Sequence, residues 1–164
     1  MKKLLLICLA LALAAGCAGV KSTGSGGSIR LETGQMIMVV MPADGVYNGK
    51  TYANSGQETA NRLRTVLLSK ASEVAVSKAR ADVKGAIKEG QAGGFRYIIY
   101  PEITHWEHRA STWSGRPTRI SFFITVYDLK TPHSPVLQQN IEGWGAHLAI
   151  ISESMFRQFM NEVF

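Results

Sequence analysis

The chain has 164 residues, of which 46% are hydrophobic and 18% are charged, with 18 Lys and Arg against 12 Asp and Glu. This composition is that of a globular protein and excludes a disordered or fibrous chain, and the length predicts one domain. The basic side chains are scattered without a run of five, which argues against a nucleic-acid-binding protein.

The N-terminus has the organisation of a secretory signal peptide, which we assign to residues 1–16. A basic pair precedes an apolar run over residues 4–15, and small residues follow. The run is shorter than the roughly 20 apolar residues that cross a bilayer, so it is not a transmembrane anchor by itself. It ends in Leu-Ala-Ala-Gly-Cys at residues 13–17, which resembles the bacterial lipobox. The alternative is an ordinary cleaved signal followed by an unmodified Cys17.

The lipobox resemblance implies that Cys17 becomes the first mature residue and carries a thioether-linked diacylglycerol and an amine-linked acyl chain such as palmitate. Cys8 lies in the removed segment, so an unmodified Cys17 would be a lone exported thiol, and no disulfide or cysteine metal site is predicted. Three acyl chains exceed the two signals needed for stable membrane anchoring. Ala18 replaces the Asp that retains lipoproteins at the inner membrane, which implies the outer membrane, facing the periplasm.

The mature chain keeps a mild positive charge. Without Lys2 and Lys3 it carries 16 basic against 12 acidic side chains, an excess of four. Such a field favours anionic phospholipid, lipopolysaccharide phosphates or an acidic partner, and it singles out none of them. No cofactor is predicted, and the oligomeric state stays open.

Residues 17–34 are predicted to be the lipidated cysteine and a flexible tether, because residues 18–30 are rich in Gly and Ser without apolar periodicity. Residues 35–164 are predicted to form a single globular α/β domain. The tether would leave the domain within a short distance of its membrane.

Strands and helices alternate in the first half of this domain, and strands follow one another in the second half. Apolar runs indicate the strands, and apolar residues that recur every 3.6 positions indicate three helices. Each of the three helices has a Ser as its predicted N-terminal cap. The predicted elements are a buried strand at 36–41, a helix at about 56–70 opened by the capping box Ser55-x-x-Glu58, a strand at 74–76, a helix capped by Ser77 and ending near 90–94, strands at 96–107, 120–128 and 136–143, and a final helix capped by Ser152.

The order β-α-β-α-β-β-β-α predicts an α/β (α+β) fold with a mixed sheet and helices packed on it. Its first half predicts parallel strands joined by right-handed crossovers, and its second half adds antiparallel strands. Pro101 indicates a bulge or an edge in its strand. Leu67 and Phe123 are predicted to be core residues.

The segment His105-Trp106-Glu107-His108 suggests a metal site, but the zinc-protease pattern requires two histidines four apart on a helix. On a strand, His105, Glu107 and Arg109 share one face, and Trp106 and His108 point to the other. His105 with Glu107 would suit proton transfer. The alternative, which we favour, is an exposed face with a salt bridge to Arg109.

The connection from Ala110 to Thr118 has the composition of a contact surface, because it places Trp113 and Arg116 among Gly and Pro. The alternative is that Trp113 folds back over the sheet. Trp106 and Trp144 are expected to be core or half-buried sheet residues.

Several short segments carry a family resemblance, namely Asp44-Gly45-x-Tyr47 with Lys50-Thr51-Tyr52 and Ser55-Gly56, Gly94-Phe95-x-Tyr97, His105-Trp106-Glu107-x-Arg109 and Trp113-Ser114-Gly115-x-Pro117. Together they resemble a family of short Gram-negative lipoproteins, domain of unknown function four-eight-two-three, over essentially the whole chain. The order of elements is also similar to the N-terminal domain of TolB and to outer-membrane lipoprotein activators of peptidoglycan synthases, a likeness of topology only.

Three functions follow as hypotheses. The first is a non-enzymatic binding or scaffolding module, anchored at the outer membrane, for an envelope protein or peptidoglycan, with Trp113, Arg116, Arg109, His105 and Glu107 as binding residues. The second is an envelope hydrolase that uses His105 and Glu107. The third is a lipid or lipopolysaccharide binder, which requires an apolar cavity between helix and sheet.

Overall fold

The structure is a computed structural model that describes residues 19–25, 30–108 and 116–164. These residues form eight strands and three helices. In chain order they are β1 (Gly19–Ser25), β2 (Met36–Val39), β3 (Val46–Tyr47), β4 (Lys50–Thr51), α1 (Ser55–Leu67), β5 (Glu73–Val76), α2 (Val83–Ala92), β6 (Tyr97–Glu107), β7 (Thr118–Asp128), β8 (Leu137–Gly145) and α3 (Leu148–Val163).

Six of the strands form one mixed sheet in the order β1-β8-β7-β6-β2-β5. β2 is parallel to both of its neighbours, β5 and β6, and the helices α1 and α2 connect these parallel strands. The pairs β6–β7, β7–β8 and β8–β1 are antiparallel. The predicted mixed sheet, with a parallel first half and an antiparallel second half, is confirmed.

One face of the sheet is covered by α1 and α3 and contains most of the core. Alternate residues of β7 point into it, among them Phe122 and Ile124, and Leu67 of α1 is fully buried as predicted. Gly143 lets α3 approach β8 closely, because a Cβ there would meet the side chains of Ile151 and Met155. At this point α3 therefore packs directly against the strand.

The other face is covered by a described helix only in part. α2 packs over a smaller cluster of Met38, Val40, Ala86, Ile98 and Leu129 near the parallel strands. Further along β6, β7 and β8 no described helix covers this side of the sheet. We call this surface the open face, and it carries His105, Arg119, Ser121, Phe123, Asn140, Glu142 and Trp144.

The predicted flexible tether is wrong for Gly19–Ser25, which form β1 and pair with β8 over seven residues. Strand pairing uses backbone groups that Gly and Ser supply as well as any other residue, so composition alone misled the prediction. Leu31 is also buried, and its amide donates to the carbonyl of Val163 at 2.7 Å. The globular unit therefore includes residues before 35.

The three predicted serine caps are wrong, because each hydroxyl has another partner. Ser55 is the first residue of α1, and its Oγ accepts from the amide of Gly45 at 2.8 Å. Ser77 Oγ accepts from the amide of Met41 at 2.9 Å, and Asp82 caps α2 instead. Ser152 lies inside α3, where its Oγ donates to the carbonyl of Leu148.

A small hairpin that the sequence prediction left as turns precedes α1. Asn48 and Gly49 both have positive φ, the conformation of a type I′ turn, and they connect β3 to β4. At the start of α1, Asp44 accepts from the amide of Gly56 at 2.9 Å and thus supplies the cap from a distant segment.

Two further details concern β6 and β7. Pro101 lies beyond the last β6 residue that pairs with β2, where no sheet hydrogen bond needs its missing amide, and a bulge follows between Ile103 and His105. Phe123 was predicted to be a core residue, but it is half-buried on the open face, because Phe122 occupies the core-facing position of this strand.

Candidate binding surface

The predicted site residues fall into two groups. Cys17, Arg109 and Trp113 lie outside the described residues, and their predicted roles stay predictions. Arg116 is exposed at the start of the segment that leads into β7. His105 and Glu107 lie two residues apart near the end of β6 and point to the same face, as predicted.

His105, Glu107 and Tyr47 form a cluster in which the hairpin meets β6. The Nε2 atom of His105 lies 3.4 Å from Oε2 of Glu107, and the hydroxyl of Tyr47 donates to Oε1 of Glu107 at 2.9 Å. The ring of Tyr47 meets the ring of His105 edge-on, with centroids 5.3 Å apart. The favoured prediction of an exposed ion pair is wrong in one respect, because the side chain of Glu107 is only 9% exposed.

This cluster has part of the arrangement of a hydrolase. Ser121 is directly opposite His105 on β7, so a hydroxyl, an imidazole and a carboxylate lie on neighbouring positions of one face. An activated serine donates its hydroxyl proton to the histidine through a hydrogen bond. Among the described residues Ser121 makes no such bond to His105, and the carboxylate of Glu107 is bonded to Tyr47. The geometry therefore supports a structural role for this cluster.

The open face contains a groove of about 690 Å³ across β6, β7 and β8. Its walls include two large aromatic side chains, a positively charged and a negatively charged side chain, and a side-chain amide. Large aromatic side chains and arginines supply much of the binding energy of protein interfaces. The residues along the groove include His105, Arg119, Phe123, Asn140, Glu142 and Trp144.

Trp144 is a residue of this surface that sequence analysis missed. It lies on β8 opposite Gly19 on one side and Arg119 on the other, and 41% of it is exposed. Its indole lies over Gly19, where a Cβ would clash with it. The alternation of β8, in which Gly143 and Gly145 face the core side, is a signal from which the position of Trp144 on the opposite side could have been predicted.

A second groove, of about 510 Å³, lies between α1 and α3. Each helix contributes one arginine that binds a glutamate four residues earlier, Arg62 with Glu58 at 2.6 Å and Arg157 with Glu153 at 2.7 Å. The two pairs are internally neutralised, and such exposed i,i+4 pairs contribute only a few tenths of a kcal/mol. This groove has no exposed aromatic side chain among its described walls.

Tyr100 and Tyr127 lie on the sheet at the edge of the cluster that α2 covers. Burial, and secondly the charge of Glu102, raise the pKa of both Tyr100 and Tyr127 above the ordinary value of 10.0. The hydroxyl of Tyr100 donates to the carbonyl of Ala81 at 3.1 Å. Both groups therefore stay neutral at physiological pH.

The described part of the chain contains no group of three or more His, Cys, Asp or Glu side chains that is able to hold a metal ion. Its helices are also too short or too polar to cross a membrane.

Comparison with known proteins identifies the family. Residues 29–154 match the family described as domain of unknown function DUF4823. The chain therefore belongs to this family, as its sequence motifs predicted. No curated protein matches the chain.

The fold is similar to solved structures of low sequence identity. A variant of PelC from Paraburkholderia phytofirmans, solved as a dodecamer, has a TM-score of 0.70 and 14% identity, with 90% of this chain and 98% of that chain covered. A second PelC dodecamer from the same organism has a TM-score of 0.69 and 14% identity, with 90% of this chain and 97% of that chain covered. The hypothetical protein CT253 from Chlamydia trachomatis has a TM-score of 0.55 and 11% identity, covering 79% of this chain and 95% of that chain. At these identities the likeness concerns the fold alone.

Proposed function

We propose that this protein is a non-enzymatic binding or scaffolding module of the Gram-negative envelope. In this proposal it is anchored at the outer membrane through lipid on Cys17, faces the periplasm, and binds an envelope protein or peptidoglycan. The lipobox motif at residues 13–17 supports the anchor, and the envelope setting is what the resemblance to a family of short Gram-negative lipoproteins, DUF4823, implies.

The open face is the single observation that carries the binding role. It keeps Trp144 in contact with solvent directly opposite Arg119, and Phe123 partly in contact with solvent four residues further along β7, whereas α1 and α3 cover the opposite side of the same strands. Aromatic surface left in solvent favours binding because its burial is favourable, and the guanidinium of Arg119 directs the partner.

Scaffolding by self-association is one form of this function. PelC, which is similar in fold, was solved as a dodecamer, and the present chain is proposed to form a homo-oligomer in the same general way. Sedimentation of the Cys17→Ser domain measures the assembled mass. A monomer at high micromolar concentration would leave heterologous partners as the only form of scaffolding.

The binding role is tested by co-purification of the tagged, full-length protein from membranes. Phe123→Ala and Trp144→Ala each remove an aromatic side chain of the open face, and we expect both to deplete the same bound species. Leu68→Ala is the matched control for Trp144→Ala, because Leu68 is a similarly exposed apolar residue at the end of α1, the helix that covers the opposite side of the sheet. Equal depletion by all three variants, or by none, would contradict the proposal.

Anchoring is tested separately with Cys17→Ser. This variant should appear in the soluble periplasmic fraction, since it lacks the thiol that accepts the diacylglycerol. If it stays as firmly bound to membranes as the wild type, the lipoprotein assignment is wrong.

A hydrolase remains the second candidate, and the contact between His105 and Glu107 is the observation that favours it. Its test is hydrolysis of isolated peptidoglycan by wild type and by His105→Ala. We expect neither protein to release fragments, whereas release that depends on His105 would replace the binding proposal. The lipid-binding alternative has less support, because fully buried side chains fill the space between the helices and the sheet.

A further inference from the structure

We infer that one end of the sheet lies flat against the membrane and contacts anionic lipid headgroups. We call it the anchor end. It comprises the start of β1, the end of β6 with the adjoining hairpin, the start of β7, the end of β8 and the start of α3. The inference rests on the proposed lipidation of Cys17.

The first argument is the length of chain between the lipid and the sheet. β1 begins at Gly19, only two residues after Cys17, and Gly19 is paired with Trp144 at the end of β8. Two residues span at most about 7 Å when fully extended. The lipid attachment point is therefore held beside the anchor end, and a long tether is not available to move the domain away from the bilayer.

The second argument is where exposed apolar side chains lie. The described residues include four large apolar side chains that are exposed, and three of them are at the anchor end. Val46 is in the hairpin beside the end of β6, Trp144 is at the end of β8, and Ile150 is in the first turn of α3, with 56%, 41% and 55% exposure. Such side chains, a tryptophan above all, partition favourably into the interfacial zone of a bilayer.

The third argument is charge. The exposed charges of the anchor end are Lys50, Arg116, Arg119 and the acid Glu142. Two further carboxylates at this end have partners within the protein, because Asp44 binds the amide of Gly56 and Glu107 is buried against Tyr47. The far end of the sheet, where β2 and β5 begin, instead mixes the acids Glu32 and Glu73 with basic side chains. A basic residue close to an anionic membrane is attracted to its headgroups.

The helices also make the anchor end more positive than the far end. α1 and α3 both begin at the anchor end, since Tyr52 before α1 contacts His108 after β6, and α3 follows directly on β8. The positive end of the α3 dipole, which has no side-chain cap, therefore points the same way as the cations, toward the proposed lipid phosphates, whereas the start of α1 is already capped by Asp44.

The orientation has a consequence for the binding proposal. The groove of the open face runs from Trp144 at the anchor end toward Phe123, so it starts at the depth of the headgroups and leads away from the bilayer. A partner that occupies the groove is then bound at the membrane surface. The class of partner that fits best is one that is itself attached to the outer membrane.

The test uses single cysteines in the full-length lipidated protein, because diacylglycerol blocks the Cys17 thiol and Cys8 is removed with the signal. Ile150→Cys marks the anchor end, and Lys130→Cys, an exposed position in the turn after β7, marks the far end. Each is labelled with an environment-sensitive fluorophore and reconstituted into vesicles of phosphatidylethanolamine and phosphatidylglycerol, with and without brominated acyl chains.

We expect brominated lipid to quench most of the fluorescence at position 150 and little of that at position 130. Arg119→Glu should weaken the quenching at 150, and neutral phosphatidylcholine vesicles should do the same. Equal quenching at the two positions would overturn the inference, because it would mean that the domain has no fixed orientation.

Mass spectrometry of the N-terminal peptide separates this result from the proposed function. If Cys17 carries diacylglycerol and the quenching is equal at both positions, the orientation is wrong while the anchored module stands. If Cys17 carries no lipid, the anchor in the proposed function is wrong and the orientation falls with it.

Discussion

The two faces of the sheet differ in what the same strands are used for. On the side of α1 and α3, β7 contributes Phe122 and Ile124, which are fully buried in the main core cluster. On the open face the same strand contributes Arg119, Ser121 and Phe123, which remain at least partly in contact with solvent. Adjacent residues of β7 therefore separate the packed core from the proposed binding face, so that a substitution on one side is expected to leave the other side intact.

The sharpest test of this difference is a pair of adjacent truncations. Phe122→Ala should lower the free energy of unfolding by about 3 to 5 kcal/mol, because it leaves a cavity in a packed core. Phe123→Ala should lower it by about 1 kcal/mol, since its ring is only half-buried. Urea unfolding of both variants in the Cys17→Ser background measures the two costs. Equal losses would mean that the open face is a second core.

A smaller effect is expected at the hydrogen bond between Asp44, which precedes the hairpin, and the start of α1. Asp44→Ala removes the acceptor for the Gly56 amide at the start of α1 and should destabilise the domain by about 1 kcal/mol. Asp44→Asn is the control, because its amide oxygen still accepts this hydrogen bond. Thermal unfolding of the two variants should rank Asn above Ala. Because both variants lack the charge that pairs with Arg80, equal destabilisation of the two would show that this ion pair matters more than the cap.

The smallest effect is a pH dependence of stability that comes from Tyr100 and Tyr127, which lie between α2 and the open face. Because burial raises the pKa of Tyr100 and Tyr127 in the folded protein, the unfolded chain loses these protons at lower pH. The two neutral tyrosines therefore contribute to the free energy of unfolding. This contribution is fully present below about pH 10 and is lost as the pH rises through the raised pKa values of the folded protein. Urea unfolding between pH 9 and 11 should show this fall, and Glu102→Gln should reduce it. If the free energy of unfolding of Glu102→Gln falls as steeply with pH as that of the wild type, the charge of Glu102 does not contribute to the raised pKa values.

Much of the fold was predictable because the signals are local. The apolar run at 36–41 and the alternating run at 120–128 each contain enough side chains to specify a buried or half-buried strand, and both strands are present. β1 was not predictable, because its partner β8 lies more than 110 residues further along the chain and Gly and Ser carry no apolar pattern. Long-range backbone pairing of this kind has no local signature.

The binding surface was predictable only in part. His105 and Glu107 were placed together correctly, since residues two apart on a strand share a face. Trp144 was expected to be buried or half-buried because tryptophans usually are, yet no described helix covers its side of the sheet. Which face a helix covers depends on the crossover connections, and a single strand sequence does not contain that information.

Photo-crosslinking in living cells tests the central claim, that the open face is the binding face, most directly. A photoreactive residue replaces Phe123 in the lipidated protein, and a second version carries it in place of Leu68, which is exposed outside this face. We predict one discrete envelope species captured from position 123 and not from position 68. Capture from position 68 or from the α2 surface at Lys84, with none from position 123, would contradict the account.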